Sequence, residues 1–306
     1  MLQKLKQSET LPILQIQSVV LETIHDFMRK EGLIQIPPVI LSSITDPLGP
    51  DPEASIIKQP QVEYNGQHLV LCQSMIFHKQ LALLTGADGV YAISPNIRLE
   101  KPNRGKTGRH LFEFCQADFE ITSASMDEVM VFVEQLFTRI FERVDAKCGG
   151  DLQVLKRSTK IPSPPFPRFT RHEMKAKYGK NWEEKSSEDM DGFFWVTCHD
   201  REFYDKEDTE RPGHFKNYDL LYPEGYGEAL SGGEREYKFE RIVTRLREDS
   251  LPLEHYAKFL TAAKDGLLPS AGAGFGIERL MRFITGKKYI RDVTLFPRVP
   301  GEFVCF

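Results

Sequence analysis

Residues 98–120 read R-L-E-K-P-N-R-G-K-T-G-R-H-L-F-E-F-C-Q-A-D-F-E, and residues 272–279 read G-A-G-F-G-I-E-R. Side chains alternate faces along a strand, so Phe114, Gln116, Asp118 and Glu120 share one face while Cys115, Ala117 and Phe119 share the other. One apolar face and one face of acid, amide and aromatic groups describe a cleft wall backed by a core. Arg98 and Glu100 share a face of the incoming strand. Lys101, Arg104, Lys106 and Arg109 fall between, with Gly105 and Gly108 marking a loop. The pattern predicts an antiparallel hairpin with a long basic loop, in which Arg98 can meet a phosphate bidentately and Phe114 offers a flat surface to a base. Taken alone, the same residues also describe a solvated charged hairpin with ordinary cross-strand ion pairs.

Gly272, Gly274 and Gly276 alternate, which leaves one strand face bare where a planar ligand can approach the backbone. The following I-E-R-L-M-R-F-I has helical apolar spacing and puts Arg279 in the first turns of a helix. A dinucleotide-binding loop is set aside, because G-x-G-x-x-G from Gly272 needs its third glycine where Ile277 stands, and L-L-P-S before it does not read as a βαβ entry strand. Hairpin and glycine strand together point to a nucleoside triphosphate site.

At these residues the chain resembles motifs 2 and 3 of the class II aminoacyl-tRNA synthetases, in the aspartyl/asparaginyl branch. Motif 1 is matched more weakly by F-M-R-K-E-G-L-I-Q-I-P-P-V-I-L (27–41). Further matches are L-C-Q-S-M-I-F-H-K-Q (71–80), P-F-P-R-F-T (165–170), Y-P-E-G-Y-G-E-A-L-S-G-G-E-R-E (222–236) and L-F-P-R (295–298). The resemblance implies an α+β fold, an antiparallel sheet flanked by helices. It implies a single catalytic domain over 1–306 with an inserted subregion near 151–192, and a homodimer formed through motif 1. Ile24, Phe27, Leu33, Ile36 and Ile40 supply the apolar surface there, and would equally suit an ordinary core. The anticodon-binding barrel that precedes motif 1 in the tRNA-charging enzymes has no counterpart in the dozen residues ahead of the motif 1 helix.

The resemblance also implies roles. Arg98 binds the α-phosphate, His110 and Arg279 the outer phosphates; Phe114 stacks on adenine with Arg279 over its other face, Glu100 faces the adenine, and Leu111 joins the nucleotide pocket. Glu228 and Ser231 match magnesium ligands, hard oxygens suited to a phosphate-bridging ion, with Asp219 a weaker candidate because of its spacing. Lys79 and Arg235 match the cations that hold a substrate side-chain carboxylate, and Asp118, with Gln116 beside it, the residue that receives the substrate ammonium. Two cations around a small pocket favour a dicarboxylate such as aspartate over an amide. A Lys79 that meets only water on a helix surface is the plain alternative.

Composition fits a cytoplasmic enzyme: 306 residues, 41% hydrophobic, net charge -4. No apolar run is long enough for a membrane span and no signal peptide opens the chain. The slightly acidic total lacks the basic footprint of an RNA binder, outside the 101–109 loop. The five cysteines contain no C-x-x-C pair, so neither disulfides nor zinc are expected, and the eight histidines are dispersed, with only His110 in a functional context. Apolar spacing predicts helices over 76–86 and 126–147; residues 12–31, 234–247 and 253–264 also read as helices, 193–197 and 215–233 as strands, and 43–66, rich in Pro, Asp and Gly, as a loop.

A core of this pattern resembles the archaeal asparagine synthetases related to asparaginyl-tRNA synthetase. The leading expectation is an AMP-forming aspartate–ammonia ligase using aspartate, ATP, magnesium and free ammonia, with the β-carboxylate turned to the α-phosphate and no tRNA. The alternative is a synthetase paralogue that transfers the activated amino acid to a tRNA or another macromolecule. A binding module without catalysis is disfavoured by the intact Arg98, Glu228 and Arg279. Two departures from the family pattern suggest a rebuilt pocket: Ile76 replaces a glutamine, and S-S-I-T-D-P-L-G-P-D-P-E lacks a glycine-rich acidic stretch.

Overall fold

The computed structural model describes residues 5–48, 56–200 and 202–304. In chain order its strands are β1 (Ile34–Gln35), β2 (Leu41–Ser42), β3 (Gln61–Tyr64), β4 (Gln67–Leu71), β5 (Gly89–Ile97), β6 (Glu113–Thr122), β7 (Arg168–Thr170), β8 (Phe194–Thr197), β9 (Asn217–Tyr222), β10 (Gly227–Glu234) and β11 (Ser270–Gly276). The helices are α1 (Thr10–Lys30), α2 (Ile76–Ala82), α3 (Met126–Val154), α4 (Arg171–Tyr178), α5 (Trp182–Asp189), α6 (Phe239–Glu248), α7 (Ala257–Gly266) and α8 (Ile277–Ile284).

The fold is α+β. Its main sheet runs β1-β5-β6-β11-β10-β9-β8-β7, antiparallel except for a parallel pair at each edge. One face carries the core. α1 turns Ile13, Ile16, Val20, Ile24 and Met28 inward at helical spacing, and α3 and α8 add Val133, Phe137, Ile140, Leu280 and Ile284 against Ala117, Phe119, Ala273 and Phe275. A capping box at Ser125 and Glu128 fixes the start of α3. The opposite face divides. Over β8 and β9 it packs Phe194, Val196 and Leu221 against Met174 of α4, while over β6, β11 and β10 it lines a cleft.

Most elements fall where apolar spacing puts them, with instructive differences. The predicted loop 43–66 ends earlier than expected, because β3 and β4 form a hairpin whose Asn65-Gly66 turn has positive φ at both residues, the type I′ geometry that Asn-Gly favours. α3 runs on to Val154, with non-helical angles at Cys148, past the expected helix end at 147. α6 begins at Phe239 because Glu234 is still paired in β10 and Arg235 bridges to Asp205. Of the motif 1 residues, Ile24 and Leu33 lie in the core, while Ile40 is exposed just before β2.

β11 is sandwiched between β6 and β10, and its glycines set how closely the three strands meet. A Cβ on Gly272 would lie 2.2 Å from the Phe119 carbonyl oxygen and 2.3 Å from Glu120 Oε2. Gly272→Ala therefore overpacks the sheet, and loses about 1–3 kcal/mol. Gly276→Ala, whose nearest neighbour would be 3.8 Å away, melts with the parent protein. Thermal unfolding of the two variants checks both outcomes.

Candidate active site

The hairpin β5–β6, the glycine strand β11 and the bulged strand β10 surround one cavity of about 280 Å³. Of the residues singled out from sequence, Lys79, Arg98, Glu100, His110, Leu111, Phe114, Gln116, Asp118, Glu228, Ser231, Arg235 and Arg279 all line it. Residues far apart in sequence thus converge on one site.

At one end stand the cations Arg98 and Arg279, both half-buried. β5 stops at Ile97, so Arg98 lies just past the strand, where its backbone N–H still donates to Phe112 and its Nε donates to the Gln73 carbonyl at 3.1 Å. Its guanidinium sits 5.3 Å over the Phe114 ring. Arg279 is the third residue of α8 and pairs with Glu228 at 3.3 Å. Phe114 and Arg279 flank Gly276, whose missing side chain leaves the space between them.

The register of β10 decides which of its side chains reach the cleft. Residues three apart on a regular strand face opposite ways, yet Glu228 and Ser231 both line the cavity. Glu228 pairs with Leu221 and Leu230 with Leu220, so Ala229 is an extra residue, and this bulge brings the two oxygen groups to one side. Asp219 faces Ser231 across β9 and β10, but it pairs with His199 at 3.3 Å and does not line the cavity.

The other end is a buried charge network. Glu120, with no exposed surface, accepts from Arg235 Nε at 3.0 Å, from Arg235 Nη2 at 3.2 Å and from Ser270 Oγ at 2.9 Å. Arg235 also donates to the Gly272 carbonyl at 3.0 Å and reaches Asp205 at 3.5 Å. Burial works against its charge, but Glu120 and Asp205 outweigh it and hold the guanidinium above its ordinary pKa. Lys79 is 4% exposed and so is no surface residue; it donates to the Phe119 and Ala273 carbonyls at 3.1 Å and lies 3.5 Å from both Asp118 and Glu120. Asp118 takes a further hydrogen bond from Ser94 at 2.8 Å. Both cations already face carboxylates, so the end expected to attract a dicarboxylate by surplus positive charge carries no such surplus.

The basic loop 98–112 is more ordered than a free loop. It contains a 3-10 turn over Pro102–Thr107, and Gly105 abuts the backbone at Pro300 so closely that a Cβ would meet its carbonyl oxygen at 2.2 Å. Arg104 donates to Glu100 at 2.9 Å and to His110 Nε2 at 2.8 Å. His110 Nδ1 meets Thr107 Oγ1 at 2.5 Å, so both ring nitrogens are engaged within the loop. Burial, with Arg279, Arg104 and Arg109 nearby, lowers the His110 pKa to about 2. The ring is neutral, with Nε2 accepting from Arg104, so His110 brings no cationic charge to this end of the cavity. Arg109 is tied to Glu183 of α5 at 2.6 Å, leaving Lys106 as an exposed cation of the loop.

Several cavity residues had no clear mark in the sequence. Asp46 and Leu48 reach in from the loop after β2, and Glu202, Tyr204 and Asp205 from the loop after β8. Tyr204 donates to Asp46 at 3.0 Å, joining the two loops. Glu278 was visible in G-I-E-R without an assigned role. Both its oxygens accept from the Cys115 N–H, at 3.0 and 3.1 Å, which fastens the start of α8 to β6.

This chain belongs to the class II tRNA synthetases of the D, K and N group, whose family description matches residues 1–300. It is 32% identical to the aspartate–tRNA(Asp/Asn) ligase of Methanopyrus kandleri over 96% of this chain and 69% of that protein. To the asparagine–tRNA ligase of Thermococcus kodakarensis it is 26% identical, over 97% of this chain and 71% of the relative. The fold matches asparaginyl-tRNA synthetase from Pyrococcus horikoshii complexed with asparaginyl-adenylate, with a TM-score of 0.88, 24% identity, and coverage of 98% of this chain and 71% of that one. Among the described residues no helix is long and apolar enough to cross a membrane.

Burial raises the Glu278 pKa from 4.5 to about 7. An acid whose folded pKa is raised supports the fold below its unfolded pKa and loses that support as pH rises through its folded one. Glu278→Gln, which stays neutral, therefore gains melting temperature relative to the parent as pH rises from 4.5 to about 7; a pH series of thermal melts reads this directly. For His110, a pKa of about 2 means that its ring signals in a nitrogen-resolved NMR titration stay unshifted through the range where ordinary histidines titrate, near 6.5.

Proposed function

We propose that this chain activates aspartate with ATP as an aminoacyl adenylate, releasing pyrophosphate, and passes the acyl group to a tRNA or another macromolecule. The observation that carries this reading is the single cavity with Arg98, Arg279 and Phe114 at one end and Lys79, Asp118 and Arg235 at the other. A nucleotide and an amino acid can meet there with the carboxylate beside the α-phosphate. The relatives reported above are tRNA ligases, which supports aminoacylation over free asparagine synthesis and favours tRNA as the acceptor.

Arg98 takes the α-phosphate and Arg279 the outer phosphates, with charge-assisted hydrogen bonds that strengthen as charge develops on the phosphorus oxygens. Phe114 supplies the stacking surface for adenine, with Glu100 and Leu111 beside it. Glu228 and Ser231, brought together by the bulge at Ala229, are the hard oxygen donors that fit a magnesium ion, which when bound neutralises phosphate charge. Asp118 receives the substrate ammonium. The Arg235 contact to Asp205, at 3.5 Å the longest it makes, is the one a substrate carboxylate would replace. An aspartate carboxylate oxygen attacks the α-phosphorus, the bond to the bridging oxygen breaks, and pyrophosphate leaves. Holding the two reactants in line supplies much of the rate. The exposed apolar positions Ile34, in β1, and Ile40, just before β2, are where a second copy would dock.

Aspartate-dependent exchange of labelled pyrophosphate into ATP tests activation. Arg279→Ala lowers the exchange rate by about 10²-fold or more while the thermal melt holds. Equal exchange with the variant, or exchange supported by asparagine and not by aspartate, overturns the assignment. Adding total tRNA should then give an acid-precipitable aspartyl product; free asparagine formed with ammonium and no tRNA would favour the ammonia ligase instead.

A further inference from the structure

Outside the cleft, three side chains from separate parts of the chain meet at one point. His172 is the second residue of α4, Cys198 follows β8, and His214 precedes β9. Their ligand atoms all lie within 4.8 Å of one another. Cys198 Sγ is 3.0 Å from His214 Nδ1 and 3.8 Å from His172 Nε2. In a tetrahedral zinc site, with Zn–S about 2.3 Å and Zn–N about 2.0 Å, a sulfur and a nitrogen ligand stand about 3.5 Å apart. The two separations here bracket that value.

We propose that His172, Cys198 and His214 bind a zinc ion that clasps α4 and the end of β8 to the loop 202–216. One thiolate and two imidazoles form a borderline-soft set that suits zinc and excludes magnesium or calcium, which prefer oxygen. Cys198 is buried, His214 half-buried and His172 exposed, so the fourth coordination position opens to solvent and is filled by water. The starting positions are well held. A capping box at Thr170 and Glu173 fixes the turn that presents His172, and the Cys198 N–H donates to the Asn217 carbonyl at 3.2 Å.

None of the three residues lines the substrate cavity, so the ion acts at a distance from the chemistry. The loop it fastens carries Glu202, Tyr204 and Asp205, which do line that cavity, and Asp205 contacts Arg235. The clasp therefore sets the wall of the amino-acid end. No C-x-x-C or H-x-x-x-H spacing announces it, because the ligands stand 26 and 16 residues apart and only the sheet brings them together.

The full chain, stripped with a chelator and dialysed, is titrated with zinc against a chromophoric competitor and separately loaded with cobalt. One zinc per chain is expected, with a sulfur-to-cobalt charge-transfer band in the near ultraviolet. Cys198→Ser removes that band. His172→Ala, at an exposed position that leaves the fold intact, weakens zinc binding at least tenfold and abolishes the rise in melting temperature that zinc gives the parent. These readouts do not depend on activity, so they stand apart from the aminoacylation assay. No saturable zinc site in the folded parent, or zinc binding and a melting shift unchanged in His172→Ala, overturns the proposal and leaves Cys198 and His214 as a hydrogen-bonded thiol–imidazole pair.

Discussion

The rest of the site depends on the carboxylate of Glu120, buried without exposed surface in the middle of the main sheet. A lone ionised acid there would be strongly destabilising, and truncating one partner of such a buried pair typically loses about 3–5 kcal/mol. Arg235 answers it from the end of β10 with two donors, Ser270 from the start of β11 with one, and Lys79 approaches from α2. The network thereby ties β6, β10, β11 and α2 into a fixed relation. Because Lys79 and Arg235 are already opposed by Asp118, Glu120 and Asp205, the amino-acid end is a rigid, nearly balanced set of charges. Under the proposed function, a substrate would be read there by where its ammonium and carboxylate fall.

The end of the cleft that carries Arg98 and Arg279 works by a different economy of space. Gly272 and Gly274 let β11 lie against β6 closely enough that the cleft floor is backbone, and a Cβ on Gly274 would meet Asp118 Oδ1 at 2.5 Å. The cations then stand at the rim, where phosphates would come. Glu278 secures this arrangement from behind by taking the Cys115 N–H, so that the first turn of α8 and the Phe114 strand cannot drift apart. The basic loop is braced similarly, by Arg104 with Glu100 and His110, by Arg109 with Glu183, and by the chain at Pro300. Much of what looks like spare positive charge in sequence is structural.

Much of the fold, and part of the cavity lining, could be read from residue patterns or from the family resemblance, for physical reasons that are particular. Alternation along residues 114–120 assigns the cleft face and the core face of β6, because a pleated strand has a period of two. The heptad-like spacing of Ile13, Ile16, Val20, Ile24 and Met28 gives α1 with its buried side. The β3–β4 hairpin was also written in Asn65-Gly66, although the surrounding Pro, Asp and Gly disguised it as loop.

Tertiary structure alone decided the remainder, because those features rest on contacts between segments that no local period records. The sequence determined which residues of 114–120 and 272–276 face the cleft, since face is a property of consecutive backbone geometry. It could not tell that the bulge at Ala229 turns Glu228 and Ser231 to one side, since a bulge is defined by the register of the neighbouring strand. Nor could it tell that Lys79 and Arg235 are already neutralised, that His110 is buried among arginines, or that His172, Cys198 and His214 meet. Charge, protonation and ligation depend on distances across the fold, and those are set only when the sheet has closed.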